Sequence, residues 1–63
     1  MLKGPIYRPG QLVPQSGQYG VCNIHGAYLG REATCTRGEH FPPTRHGTAE
    51  YGWRLRDLTA HTR

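Results

Sequence analysis

The stretch Glu50–Tyr51–Gly52–Trp53–Arg54–Leu55–Arg56–Asp57–Leu58 carries the clearest pattern in the chain. Tyr51, Trp53 and Leu55 recur at period two, opposite Gly52, Arg54 and Arg56. Side chains two residues apart share one face of a strand. The alternation therefore predicts a half-buried strand with an aromatic inner face and an arginine outer face. Trp53 belongs inside, because a chain with so few large apolar residues has little else to bury.

Two further strands follow from the segments before it. Gln18 to Ile24 and Arg31 to Arg37 are rich enough in apolar and β-branched residues to pair as a hairpin across His25–Gly30. The register that aligns the hydrophobes sets Cys22 against Cys35 and Ile24 against Ala33, all on one face. The expected core is then Cys22, Ile24, Ala33, Cys35, Tyr51, Trp53 and Leu55, capped by Phe41. Gly and Pro, nine and five residues, stand between short apolar patches as turns do in an all-β fold. Residues 1–17 hold Gly4, Pro5, Pro9, Gly10, Pro14 and Gly17 and read as an irregular arm, with extended pieces near Ile6–Tyr7 and Leu12–Val13. Residues 1–63 thus form a single small, mostly β domain. Its expected sheet is antiparallel and three-stranded, with a barrel-like or zinc-ribbon-like curl left open.

The chain also echoes itself. Gly10–Gln11–Leu12–Val13–Pro14 recurs in type as Gly38–Glu39–His40–Phe41–Pro42, and Tyr19–Gly20–Val21 as Tyr51–Gly52–Trp53. The offset is 28 residues in the first pair and 32 in the second. A pseudo-symmetric pair of turn-and-strand units would explain this; so would chance, since Gly, Pro and Tyr are common here.

Composition narrows the function classes. Sixty-three residues leave little room for a deep substrate cavity. No apolar stretch nears the roughly 20 residues of a membrane span. Met1–Leu2–Lys3–Gly4–Pro5 lacks the pattern of an export signal, which points to the cytoplasm. The net charge of +4 comes from seven Arg and one Lys against four acidic residues. Guanidinium suits phosphate and carboxylate, but the arginines are dispersed, so any nucleic-acid surface has to be assembled by folding.

Arg8–Pro9–Gly10–Gln11, Pro14, Ser16–Gly17–Gln18–Tyr19, Arg37–Gly38–Glu39–His40–Phe41–Pro42–Pro43–Thr44 and Trp53 resemble the YjzC-like group of very small bacterial proteins. The resemblance implies a compact protein of a bacterial cytosol and carries over no catalytic residue. Cys22–Asn23–Ile24–His25–Gly26 is similar to one knuckle of a rubredoxin-like zinc ribbon. Pro43–Thr44–Arg45–His46–Gly47 is similar to the other, with Pro43 where a ligand belongs. That resemblance implies Cys22, His25 and His46 as zinc ligands, with Cys35 or His40 left to complete the four that a structural site wants. The competing reading has no cofactor.

A Cys22–Cys35 disulfide would contribute about 3 kcal/mol by chain entropy, yet a reducing cytosol favours two buried thiols that behave as small hydrophobes. Ser16, the single serine, lies in a Pro/Gly turn without a sequence-adjacent His. Arg37, Glu39 and His40 are close in sequence, as are Arg45 and His46, and such groupings could in principle serve general acid–base cleavage of RNA. Together these readings describe a non-enzymatic binding or accessory module. Its partner is a protein or a nucleic acid, not a membrane, and Arg54 and Arg56 on the outer face of the third strand are the candidate nucleic-acid contacts. Tyr28, at the hairpin tip, is the candidate exposed aromatic. Pairing of edge strands is the route by which copies would associate.

Overall fold

A computed structural model describes residues 3–57. They form one antiparallel sheet of four strands: β1 (Lys3–Tyr7), β2 (Gly17–Cys22), β3 (Tyr28–Cys35) and β4 (Gly52–Asp57). The strand order is β1-β4-β2-β3, so β1 and β3 are the edges and the sheet is open. No helix among the described residues is long and apolar enough to cross a membrane.

The mostly β, antiparallel expectation holds, but the strand count rises from three to four. The extra strand is β1, inside the stretch read as an irregular arm. Gly4 and Pro5 suggested a break. At an edge, however, a missing N–H is tolerated, and β1 is irregular where these residues fall: Lys3 lies opposite Leu55 and Tyr7 opposite Trp53, with a register shift between. The third predicted strand appears as β4; its expected end at Leu58 lies outside the described residues.

The hairpin register is also corrected. Cys35 pairs with Gly17 and Ala33 with Tyr19, and after a shift Cys22 pairs with Tyr28. Ile24, expected inside, falls in the turn and is 66% exposed. Matching Ile24 to Ala33 would have buried two modest side chains. The observed register buries Tyr19 and Val21 instead, the larger apolar payload. The cysteines consequently lie on opposite faces of the sheet. On β2 and β4, Tyr19 faces Leu55 and Val21 faces Trp53, while Gly20 faces Arg54 and Cys22 faces Gly52. Gly17, the partner of Cys35, shares the Tyr19 face.

The core lies on that face. Val13, Tyr19, Val21, Cys35, Phe41 and Trp53 are buried together, with Tyr7, Ala33 and Leu55 packed at the margin. Trp53 is fully buried, as its alternation predicts, and its Nε1–H donates to the Pro42 carbonyl at 2.8 Å. Tyr19 is fully buried too and donates its hydroxyl to the Gln15 carbonyl at 2.6 Å. Phe41 stacks on Tyr7 at 5.1 Å and meets Tyr19 edge-on at 4.9 Å. Tyr51, expected in the core, is only half-buried.

A ribbon of two extended segments carries Val13 and Phe41 over the core. Leu12 bridges His40, the Val13 N–H donates to the Glu39 carbonyl at 2.7 Å, and the Phe41 N–H donates to the Gln11 carbonyl at 2.9 Å. These are the two echoed segments, laid side by side.

Candidate anion-binding cleft

Where the ribbon meets the loop before β4, the surface opens into a cleft of about 430 Å³, within the usual range for small-ligand sites. Its lining includes Arg8, Pro9, Thr44, Arg45, His46 and Glu50. The loop is held by its own hydrogen bonds. The Arg45 N–H donates to Glu50 Oε1 at 2.7 Å, Thr48 Oγ1 donates to the Arg45 carbonyl at 3.0 Å, and the Glu50 N–H donates to Thr48 Oγ1 at 3.1 Å. Such closure presents Arg45 and His46 from a defined backbone.

The cleft is cationic for a specific reason. Glu50, its one carboxylate, is already taken: Arg31 grips it with Nε at 3.0 Å and Nη2 at 2.8 Å. That bidentate bond, reinforced by the Arg45 N–H, holds the Glu50 carboxyl far below its ordinary value, down to about 2. Among the described residues the direct ion pairs are Arg31–Glu50 and Arg56–Glu32; Arg8 and Arg45 make none, although the Arg45 charge also helps to hold Glu50 ionised. The Arg8 guanidinium lies 4.0 Å from the centre of the Tyr51 ring, a cation–π contact that fixes its direction without neutralising it.

The residues singled out from sequence lie elsewhere. Arg54 is on the face away from the core, where its Nε donates to the Gly4 carbonyl and its Nη1 to the Gly26 carbonyl, both at 3.0 Å. It ties β1 to the β2–β3 turn. Arg56 sits 4.4 Å from the Tyr28 ring centre and 3.8 Å from a Glu32 carboxylate oxygen. Tyr28 is exposed at 37%, as its place near the hairpin tip suggests, and its hydroxyl donates to Glu32.

Cys22, His25 and His46 do not meet: Cys22 is buried, while His25 and His46 are exposed in separate loops. Among the described residues no three His, Cys, Asp or Glu side chains gather as a metal site. Both thiols are free and buried, and burial pushes both above the ordinary thiol value. His40 stands exposed on the ribbon opposite Leu12.

Nothing in the sequence spacing pairs Arg8 with Arg45. Pairing of the two ribbon segments across the sheet is what brings them together, and the internal echo was the one signal that could have placed them. No family model, curated protein or solved structure matches the chain.

Proposed function

We propose that this protein is a non-enzymatic binding module of a bacterial cytosol that docks a phosphate of a nucleic-acid strand in the Arg8–Arg45–His46 cleft. The observation that carries the reading is that, among the described residues, neither Arg8 nor Arg45 makes a direct ion pair on a cleft whose one lining carboxylate, Glu50, is gripped by Arg31. Arginine there can give two parallel N–H donors to a phosphate, a geometry that lysine cannot supply. Tyr51 already bears Arg8 on its face, so the site reads charge before it reads a base. Glu50, held ionised and hydrogen-bonded, is a poor proton-transfer group near neutrality, which favours binding over catalysis.

This moves the expected nucleic-acid surface from Arg54 and Arg56 to the cleft. Arg54 is engaged by two backbone carbonyls and Arg56 by Tyr28 and Glu32, so recruiting either would cost existing contacts. Fluorescence anisotropy with labelled single-stranded DNA and RNA, titrated across salt concentrations, tests the reading. Binding should weaken linearly in log affinity against log salt, and Arg8→Ala or Arg45→Ala should each reduce that slope by about one contact. Binding that ignores both substitutions, or no binding at low salt, would overturn it.

A further inference from the structure

The internal echo is a structural symmetry. One unit is β1, the ribbon segment 8–13 and β2; the other is β3, the segment 36–41 and β4. Exchanging the units turns the order β1-β4-β2-β3 into itself read backwards. The ribbon hydrogen bonds pair off under the same exchange. Gly10 N–H to Phe41 carbonyl matches Gly38 N–H to Val13 carbonyl, both at 3.0 Å. Gln11 N–H to Arg8 carbonyl at 3.1 Å matches Glu39 N–H to Thr36 carbonyl at 3.0 Å. Gly10 and Gly38 share a left-handed backbone, with φ of 89° and 90°. Leu12 and His40, equivalent in the echo, face each other, as do Val21 and Trp53. A pseudo-twofold axis passes through both pairs.

Neither unit pairs its own strands. Every ladder crosses between them: β1 with β4, β2 with β4, and β2 with β3. The Phe41 stack on Tyr7 and its edge contact with Tyr19 cross as well. The units are joined by one short segment, residues 23–27. It is closed by the Asn23 N–H to the Ala27 carbonyl at 3.0 Å, and by the Asn23 carboxamide oxygen, which accepts from the His25 and Ala27 N–H groups at 2.9 and 3.0 Å.

From this arrangement we propose that a second copy of this chain is a binding partner, and that the two copies exchange whole units. Opening residues 23–27 lets the first unit of one chain take up the second unit of the other. Each of the two resulting sheets keeps every inter-unit contact of the monomer, and only the linker changes conformation. Exchange of an identical element costs little for that reason, and the linker sets the balance. Chain concentration then drives the equilibrium by mass action.

Removing residues 23–27 joins Cys22 directly to Tyr28, its own ladder partner, so the chain cannot fold back on itself there. Light scattering should give this variant twice the mass of its own shortened chain, with a folded circular-dichroism spectrum. A monomer, folded or unfolded, overturns the proposal. A mixing experiment keeps the inference testable without any deletion. A chain bearing Tyr19→Asp with Val21→Asp has a broken first unit; one bearing Trp53→Asp has a broken second unit and no tryptophan. Each is expected to be unfolded alone, since each places charge in the buried core. Mixed, they should rebuild one intact sheet, read as a concentration-dependent blue shift of the single Trp53. A mixture whose emission equals the sum of its separate components overturns exchange. Neither measurement involves the cleft or a nucleic acid, so it stands apart from the binding reading.

Discussion

Gly52→Ala is a one-methyl perturbation of the point where β1 lies on β4. An alanine Cβ there would sit 2.5 Å from the Tyr7 carbonyl oxygen and 2.7 Å from Ile6 Cγ2. Ordinary contacts of this kind begin near 3.4 Å, so the neighbour has to retreat by about 1 Å. The nearest atom is backbone, which cannot swing aside as a side-chain tip does. Gly52 is not among the residues with a left-handed φ, so the whole cost is steric. Overpacking of this kind costs about 1–3 kcal/mol, and a rigid obstacle places it in the upper half. A domain of this length has roughly 3–9 kcal/mol in total. The midpoint of thermal unfolding should therefore fall by roughly 10–20 °C.

The matched control is Gly10→Ala. Its Cβ would meet nothing within 4 Å, although its φ of 89° is left-handed. That strain alone costs about 1–2 kcal/mol. Thermal melts by circular dichroism compare the two, and amide exchange at Ile6 and Tyr7 locates the damage. The reasoning fails if Gly52→Ala melts within about 3 °C of the parent with Tyr7 equally protected, or if Gly10→Ala is the more damaging of the two.

Glu50 should give the protein an acid limb of stability. Its carboxyl is held at about 2 in the fold against 4.5 unperturbed, so its contribution is complete above the unfolded value and disappears as pH falls from about 4.5 through about 2. Glu50→Gln should lose about 1–2 kcal/mol near pH 7, discounted for the partly exposed Arg31, and its melting temperature should vary less across that window; a parallel pH dependence in parent and variant would contradict the assignment. Cys22 and Cys35, 0% and 6% exposed and raised by burial, should react with a disulfide reagent only as the protein opens, at rates that climb with urea; native-state reaction at the speed of a free thiol would refute this.

The fold was legible where alternation was strong. Tyr51–Arg56 fixed the identity of the last strand and the direction of its indole, because period-two burial is a property of residues adjacent in sequence. The register of β2 on β3 was not legible in the same way. Several alignments bury apolar side chains there, and the deciding partners, Val13 and Phe41, come from segments outside the hairpin. β1 was hidden for a related reason. Its strand character depends on β4 being present to pair with, while its own residues, Gly4 and Pro5, look like breakers.

The cleft was illegible because it arises where the two units differ. Between Val13 and Tyr19 the chain passes quickly through Pro14–Gln15–Ser16–Gly17–Gln18; between Phe41 and Tyr51 the equivalent passage is four residues longer, as the change in offset from 28 to 32 records. The excess lies in the loop that presents Arg45 and His46. The ribbon beside it is held by backbone hydrogen bonds, which are indifferent to side-chain identity, so Arg8 could be placed there without cost to the sheet. Symmetry thus supplies the scaffold and its violation supplies the site. Shortening the second loop to the length of the first should leave the sheet intact and remove the cleft.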